Sequence, residues 1–214
     1  MALREISILV SDISDISELI PLILLLIINN NELKFKILKA YFFLTSILKM
    51  YALITSKFSI NNMHAYHFLS IVELISMYSF YVIVLNKKRN LFFFGLFSLL
   101  VFNILNTLLY HKFNEFNNLA WGLNASIIII FGLNYYHQIY NRTDNVQIEK
   151  DPMFFINAGF LIYASGSFFT YLFGWKILSQ EAIGLFHNAW LIQSIANIIK
   201  NIVIAHGVWL MRQN

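Results

Sequence analysis

The sequence has no cysteine, only two prolines and few charged residues, which make up 12% of its 214 residues. Without cysteine the chain can form neither disulfides nor thiolate metal sites. Soluble domains carry roughly 25% charged residues, so the low charge excludes an ordinary water-soluble domain. What is present instead is apolar: 58% of the residues are hydrophobic and 17% are aromatic.

The apolar residues are gathered in seven long runs with short connections. A hydrocarbon core of about 30 Å needs roughly 20 mostly apolar residues per helix. The runs cover residues 14–28, 35–55, 65–85, 91–110, 119–140, 153–175 and 185–210. They predict an all-α integral membrane protein, a seven-transmembrane-helix bundle formed as a single domain by residues 1–214.

Proline and internal repeats give no sign of the broken helices that are typical of transporters. Pro152 stands at the start of span six, where proline suits a first helical turn. The sequences of the two halves of the chain do not match each other. In span six, Gly159 and Gly166 could let a neighbouring backbone approach closely. Broken helices of the transporter kind are therefore not indicated.

Basic residues in the loops predict the orientation, because lysine and arginine resist translocation. Nine of them follow spans one, three, five and seven, and four lie on the other side. The nine are Lys34, Lys36, Lys39, Lys87, Lys88, Arg89, Arg142, Lys150 and Arg212; the four are Arg4, Lys57, Lys112 and Lys176. The N-terminus is therefore predicted to be outside and the C-terminus cytoplasmic.

A polar stripe runs along span seven. Gln193, Asn197, Lys200 and Asn201 are spaced by three or four residues and so share one helix face, which should look into the bundle. The amides could simply join helices by hydrogen bonds worth about 0.6 kcal/mol each. Lys200 lies about 15 Å from the cytoplasmic end by helical rise, too deep to reach water, and is the preferred functional residue.

Two further ionisable residues lie at depth, Lys49 in span two and Glu73 in span three. Each is about 12 to 14 Å from the outer end of its span by helical rise. The two spans should be antiparallel neighbours, so an ion pair of Lys49 with Glu73 is predicted. The pair could be purely structural, but ionisable residues within a membrane are also functional candidates.

Histidines and acids gather at the predicted outer end. His64 and His67 begin span three, His187 begins span seven, and Asp12, Asp15 and Glu18 lie on nearly one face of the first helix. Three protein ligands and one open position make a catalytic zinc site. The sequence therefore allows a Zn²⁺ site built from His64, His67 and His187.

Two segments carry a resemblance to known proteins. They are FFINAGFLIYASGSFFTYLF at 154–173 and WLIQSIANIIKNIVIAHGVW at 190–209. In these segments the chain resembles uncharacterised seven-span membrane proteins of Bacteroidetes, some of which are similar to the membrane sensor regions of histidine kinases. The resemblance implies a role in signalling.

Two other families share parts of the pattern. The chain is similar to microbial rhodopsins in having seven spans, an outside N-terminus and a lysine in span seven, which implies retinal on Lys200 with Glu73 as counter-ion. However, Ala196 stands where those proteins have an acid, and 156–170 lacks their Trp and Pro arrangement, so retinal is not expected. Seven-span zinc hydrolases of the ceramidase and adiponectin-receptor type have a His-x-x-x-His pair in the last span, which is missing here.

Together these features predict a membrane-embedded sensor, signal transducer or adaptor, with a polar pocket inside the bundle and a cytoplasmic output face. Its partners would be the lipid bilayer and a protein bound through residues 141–152 and the C-terminus. The basic residues form no patch, so nucleic acid is not an expected partner. A metal-dependent membrane hydrolase and an oligomeric pore or complex component, including a homo-oligomer, are the alternatives. The expected location is the bacterial inner membrane.

Overall fold

The protein is all-helical wherever the structure, a computed structural model, describes it. The described residues are 3–28, 30–87, 89–109, 113–141, 147–173 and 183–212, and the side chains of 3–4, 89–92 and 183–187 are not included. The helices are α1 (Leu3–Ser17), α2 (Leu19–Ile28), α3 (Leu33–Lys57), α4 (Met63–Val84), α5 (Arg89–Leu109), α6 (Asn118–Tyr140), α7 (Pro152–Leu172) and α8 (Ile183–Leu210). A short 3₁₀ turn, Ile148–Lys150, precedes α7.

Among the residues that the structure describes, five helices are long and apolar enough to cross a membrane by length and composition: α3, α4, α6, α7 and the Asn188–Leu210 part of α8. A shorter apolar helix, Phe93–Leu109, lies within α5. These helices match six of the seven predicted apolar runs, so the character of a multi-pass membrane protein is confirmed, while the number of seven spans and the orientation stay predictions.

The first predicted span, residues 14–28, is divided between two helices. The chain leaves helical geometry at Glu18, between α1 and α2. Pro21 explains the break, because proline has no N–H to donate to the carbonyl of Ser17 four residues earlier, and its ring crowds that carbonyl. The break places a carboxylate where the helix is interrupted.

Helix α1 begins well before the predicted start at residue 14, because its polar face looks into the bundle. Ser7 and Ser14 are buried, whereas Ile8, Leu9 and Ile13 are about half exposed. In water this arrangement would be unfavourable, but against lipid the apolar face belongs outside. The polar residues before residue 14 therefore belong to helix α1 and do not form a segment that precedes it.

The helices form a closed ring. The α1/α2 pair packs on α3, α3 on α4, α4 on α6, α6 on α7, α7 on α8, and α8 returns to α1 and α2. Helix α5 lies outside the ring against α4 and α6. The ring therefore encloses side chains from six directions, and this interior holds the polar residues of interest.

Helices α7 and α8 approach each other closely at Gly159 and Gly166, as predicted. A Cβ atom on Gly159 would lie 2.9 Å from the carbonyl oxygen of Lys200, and one on Gly166 would lie 2.8 Å from the Cβ of Ala196. Only glycine lets α7 and α8 pack this closely. This contact holds the Lys200 segment of α8 against α7.

Candidate functional site

The interior of the ring contains an ion cluster centred on Glu18. One oxygen of this carboxylate, Oε1, lies 2.6 Å from Lys49 Nζ and 3.3 Å from Lys200 Nζ. Glu18 is 1% exposed and Lys200 is 0% exposed. One carboxylate at the α1/α2 break therefore joins lysines from two different helices, α3 and α8.

The predicted ion pair of Lys49 with Glu73 is wrong. Lys49 instead pairs with Glu18 and, at 3.6 Å, with Asp15 Oδ1. The reason is the inward-facing α1, which brings two acids to the depth of Lys49. Sequence spacing placed Glu18 in an outer acidic run, and the helix break that turns it inward is a tertiary feature.

Lys200 also has an acidic neighbour, although its own stripe supplies none. Besides Glu18, its ammonium faces aromatic rings: Nζ lies 4.4 Å from the ring centre of Tyr163 and 5.8 Å from those of Tyr41 and Phe42. Cation–π contacts of this kind help to hold a buried ammonium. The carboxylate at salt-bridge distance from Lys200 is Glu18, whereas the rhodopsin resemblance implied Glu73.

The amides of the span-seven stripe bind α1, and the prediction that the stripe faces the bundle interior is confirmed. Asn197 Nδ2 donates to Ser14 Oγ at 2.8 Å and to its carbonyl at 3.1 Å. Asn201 Nδ2 donates to Ser17 Oγ at 2.7 Å. These two amides therefore act as the predicted interhelical hydrogen-bond contacts on either side of Lys200.

Glu73 belongs to a second chain of polar contacts. Tyr163 OH donates to Glu73 Oε2 at 3.4 Å, Tyr163 and Tyr171 share a hydrogen bond of 2.7 Å, and Gln193 Nε2 donates to Tyr171 OH at 3.2 Å. Three helices, α4, α7 and α8, thus contribute to one continuous line. Gln193, the fourth residue of the predicted stripe, joins this line and not the Glu18 cluster.

Several buried side-chain oxygens have no hydrogen-bond partner at ordinary distance and angle within the described part of the chain. They are Glu18 Oε2, Glu73 Oε1, Asn197 Oδ1, Asn201 Oδ1, Ser46 Oγ and Ser167 Oγ. A buried acceptor without a hydrogen-bond partner costs about 1 to 3 kcal/mol of folding free energy. Such groups are therefore uncommon in folded protein interiors. Most of these atoms can only accept a hydrogen bond, so they suit a proton, a cation or a donor ligand.

The predicted zinc ligands do not come together as far as their side chains are described. His64 Nε2 lies 2.8 Å from Tyr51 OH. His67 has Nε2 2.9 Å from the Glu115 carbonyl oxygen, to which only a ring N–H can bond, and Nδ1 3.2 Å from Thr107 Oγ1. The side chain of His187 lies outside the described residues. Among those described, no three His or acidic side chains form a metal-binding group.

His67 belongs to a polar group that joins α4, α5 and the start of α6. Asn117 contacts His67 Nδ1 at 3.3 Å, accepts a hydrogen bond from Asn106, and caps α6 by accepting from the Ala120 N–H. Asn124 Nδ2 donates to the Ser70 carbonyl at 2.8 Å. This group satisfies backbone and cap groups, which is a structural role.

A cavity of about 350 Å³ lies at the end of the bundle where α3 and α7 begin. Its lining includes Glu32, Lys34, Tyr135 and Asp151. Tyr135 OH donates to Asp151 Oδ2 at 3.2 Å, and Asp151 also caps α7 through the Met153 N–H. The Lys34 ammonium, which donates to Glu32, holds the pKa of Glu32 below its ordinary value. Polar groups from the ends of three helices, α3, α6 and α7, therefore meet at this end of the bundle.

The residues that sequence reasoning missed are Glu18 as the centre of the site, with Ser14 and Ser17, and the tyrosines Tyr163 and Tyr171. One sequence feature could have indicated the first group. Ser14, Ser17 and Glu18 are spaced by three and four residues, as Asn197, Lys200 and Asn201 are. Two polar stripes of equal spacing, each in an apolar helix, favour contact with each other.

Comparison with known proteins found no matching family model, curated protein or solved structure. The site therefore has to be interpreted from its own chemistry. A fold class alone does not determine a function, so the buried cluster carries the functional argument.

Proposed function

We propose that the protein is a membrane-embedded sensor or signal-transducing adaptor, in which the ion cluster around Glu18 is the element that changes state. In this proposal the chain crosses the bacterial inner membrane seven times, with α1 and α2 together forming the first span. The N-terminus is outside and the C-terminus is cytoplasmic, following the nine to four distribution of basic residues.

The observation that carries the proposal is the sharing of Glu18 by Lys49 and Lys200. A buried ion pair adds little net stability, because desolvation offsets the attraction, but losing one member is costly. Any event that changes the charge of this carboxylate therefore alters the attachment of α3 and α8 to the α1/α2 break at once. A two-state element of this kind is what a switch requires.

Helix α7, whose Tyr163 ring contacts Lys200, and helix α4, whose Glu73 is hydrogen-bonded to Tyr163, run from beside the cluster to the cavity at the predicted cytoplasmic end. Glu73 is ten residues from Ile83 on α4, and Tyr163 is ten residues from Met153 on α7. Both Ile83 and Met153 line the cavity. Ten helical residues span about 15 Å, so a tilt of α4 or α7 at the cluster would change the cavity directly.

The output partner would be a cytoplasmic or membrane protein that binds this end of the bundle. The connection 141–152, of which 142–146 lie outside the described residues, and the C-terminal segment both belong to this end under the proposed topology. Asp151 and Lys150 are charged groups at the start of α7, so a partner would bind next to the helix that leads to the cluster.

Spin labels provide the test, because the chain has no cysteine of its own. Leu33→Cys places one label at the start of α3, where Leu33 is 61% exposed, and Tyr140→Cys places the other at the end of α6, where Tyr140 is 86% exposed. We expect Lys200→Met and Glu18→Gln each to shift the distance distribution measured by double electron–electron resonance.

The control is Asn124→Ala, which removes a buried hydrogen bond between α6 and α4 outside the cluster. It should leave the distribution unchanged. If folded Lys200→Met gives the same distance distribution as the wild-type protein, the cluster is not connected to the cytoplasmic end and the sensor proposal is wrong.

A further inference from the structure

We propose that Glu73 is a proton-binding site, loaded through Tyr163 and Tyr171 from the end of the bundle where α7 ends and α8 begins. The proposal deepens the proposed function, on which it rests, by naming the proton as the stimulus. Under the proposed topology this end is the outer one.

The interior of the ring contains more acids than lysines. Three acids, Asp15, Glu18 and Glu73, face two lysines, Lys49 and Lys200. Both lysines lie within 4 Å of Glu18, and Lys49 also lies within that distance of Asp15. Within the described residues no cation lies within 4 Å of Glu73. One acid thus exceeds the available positive charge, and one bound proton would balance the cluster.

The hydrogen bonds of Gln193, Tyr171 and Tyr163 all donate in the direction of Glu73. Tyr163 donates its only proton to Glu73 Oε2, so it can only accept from Tyr171 in their shared bond. Tyr171 then accepts from Gln193 Nε2. Every hydrogen in the line points toward the carboxylate, as a chain that ends on a proton acceptor requires.

The hydrogen-bonded line extends along the axis of α7 to the end of that helix. Tyr163 and Tyr171 are eight residues apart on α7, about 12 Å by helical rise, yet their hydroxyls are 2.7 Å apart. Tyr171 lies in the last turn of α7, and Gln193 beside it is half-buried. Two side chains therefore bridge the distance from Glu73 to the end of the helix.

The charged and hydrogen-bonding groups that interact with Glu73 come from the α1/α2 break and from helices α3, α7 and α8. They are Tyr41 and Lys49 of α3, Glu18 at the α1/α2 break, Tyr163 of α7 and Lys200 of α8. Since the Lys200 ammonium lies over the Tyr163 ring, a proton on Glu73 would change the field at the lysine that also holds Glu18. Loading of Glu73 would thus reach the ion cluster.

The transfer itself moves one proton and no electrons. Tyr163 gives its hydroxyl proton to Glu73 Oε2 and receives one from Tyr171, which receives one from a hydronium ion of the solvent at that end of the bundle, leaving a water molecule. The two hydroxyls then rotate back, so both tyrosines end unchanged and the carboxylate has become a neutral carboxylic acid. Release follows the same steps in reverse.

Infrared spectroscopy of the full-length protein in detergent tests the site. We expect a carboxylic acid C=O band that grows on acidification, is absent in Glu73→Gln, and shifts when the buffer is changed to D₂O. The rate of that shift reports access to the carboxyl. Tyr163→Phe and Tyr171→Phe should each slow it several-fold while keeping the aromatic rings.

The matched control is Tyr81→Phe, which removes the hydroxyl of an equally buried tyrosine that donates to Asn157. In this variant the Glu73 carboxyl band should shift in D₂O at the wild-type rate. If Tyr163→Phe and Tyr171→Phe also exchange at that rate, or if the band persists in Glu73→Gln, the proposal is overturned.

The two proposals can fail separately. An acid-dependent Glu73 band together with label distances that do not change in Lys200→Met or Glu18→Gln would support the proton site and contradict the sensor. Label distances that respond to Lys200→Met with no Glu73 band would support the sensor and contradict the proton site.

Discussion

Glu18 holds two lysines with a single oxygen, so its loss affects two helices at once. Lys49 has Asp15 at 3.6 Å as a second acidic partner. Within the described residues, Lys200 has no carboxylate other than Glu18 within 4 Å. The cost of removing each member of the cluster should therefore differ. The acid is the most costly, because without it Lys200 becomes an unpaired buried charge.

We predict that Glu18→Gln destabilises the protein by about 3 to 5 kcal/mol, the usual cost of breaking a buried pair from one side. Lys200→Met should cost less, because Glu18 keeps Lys49 at 2.6 Å. The double variant should cost less than the sum of the two single changes. Thermal unfolding in detergent measures all three.

The matched control is Glu32→Gln, which removes the acid of an exposed ion pair with Lys34 at 2.8 Å. Exposed pairs are worth about 0 to 1 kcal/mol, so melting should barely change. Equal losses for Glu18→Gln and Glu32→Gln would mean that the cluster is not a buried ion pair in the membrane protein.

At the scale of the helices, the contact between α7 and α8 places Lys200 and Tyr163 together. The contact depends on Gly159, since a side chain there would meet the Lys200 carbonyl oxygen and Ile204. The α1/α2 break is the other decisive element, because it turns Glu18 into the ring. Both features act through backbone geometry and not through side-chain chemistry.

We predict that Gly159→Ala destabilises the protein by about 1 to 3 kcal/mol, the usual cost of overpacking. Its Cβ would lie 2.7 Å from Ile204 Cγ1 and 2.9 Å from backbone oxygen, so α7 and α8 must move apart. Melting in detergent measures the loss, and the C=O stretch of Glu73 should change as well, since Tyr163 moves with α7.

Gly122→Ala serves as its control. Here the new Cβ would meet only the flexible end of Leu172, at 3.0 Å, and alanine has the higher helix propensity by about 1 kcal/mol. A neutral or slightly stabilised protein is expected. A loss as large as that of Gly159→Ala would show that the close contact between α7 and α8 is not the cause.

For the molecule as a whole, polarity is reversed relative to a soluble protein. Large apolar side chains such as Phe94, Leu108 and Ile27 are at least 70% exposed, while Glu18, Glu73 and Lys200 are buried. Lipid rather than water satisfies the apolar surface. Charged groups inside such a bundle are expensive, which is why they are expected to have a function.

We predict that Asn214 is cytoplasmic. A C-terminal alkaline phosphatase fusion should be inactive and a C-terminal green fluorescent protein fusion should fluoresce, because nine basic residues belong to that side and four to the other. Fusions after Lys57, at the end of α3, should give the opposite pair of results. High phosphatase activity at the C-terminus would reverse the proposed topology.

The sequence by itself determined the helical class, the positions of the apolar helices and the inward face of the span-seven stripe. These follow from local properties: hydrophobic length fixes a span, and a spacing of three or four fixes a helix face. The glycine contact of α7 was predictable for the same reason.

Only the tertiary structure decided which charges meet. Lys49 and Glu73 have similar depths, but depth says nothing about the angle at which a helix faces its neighbours. The break at Glu18 and the inward polar face of α1 brought a different acid to both lysines. Partner choice in a bundle depends on helix rotation and on which helices close the ring, and these are set by packing over the whole chain.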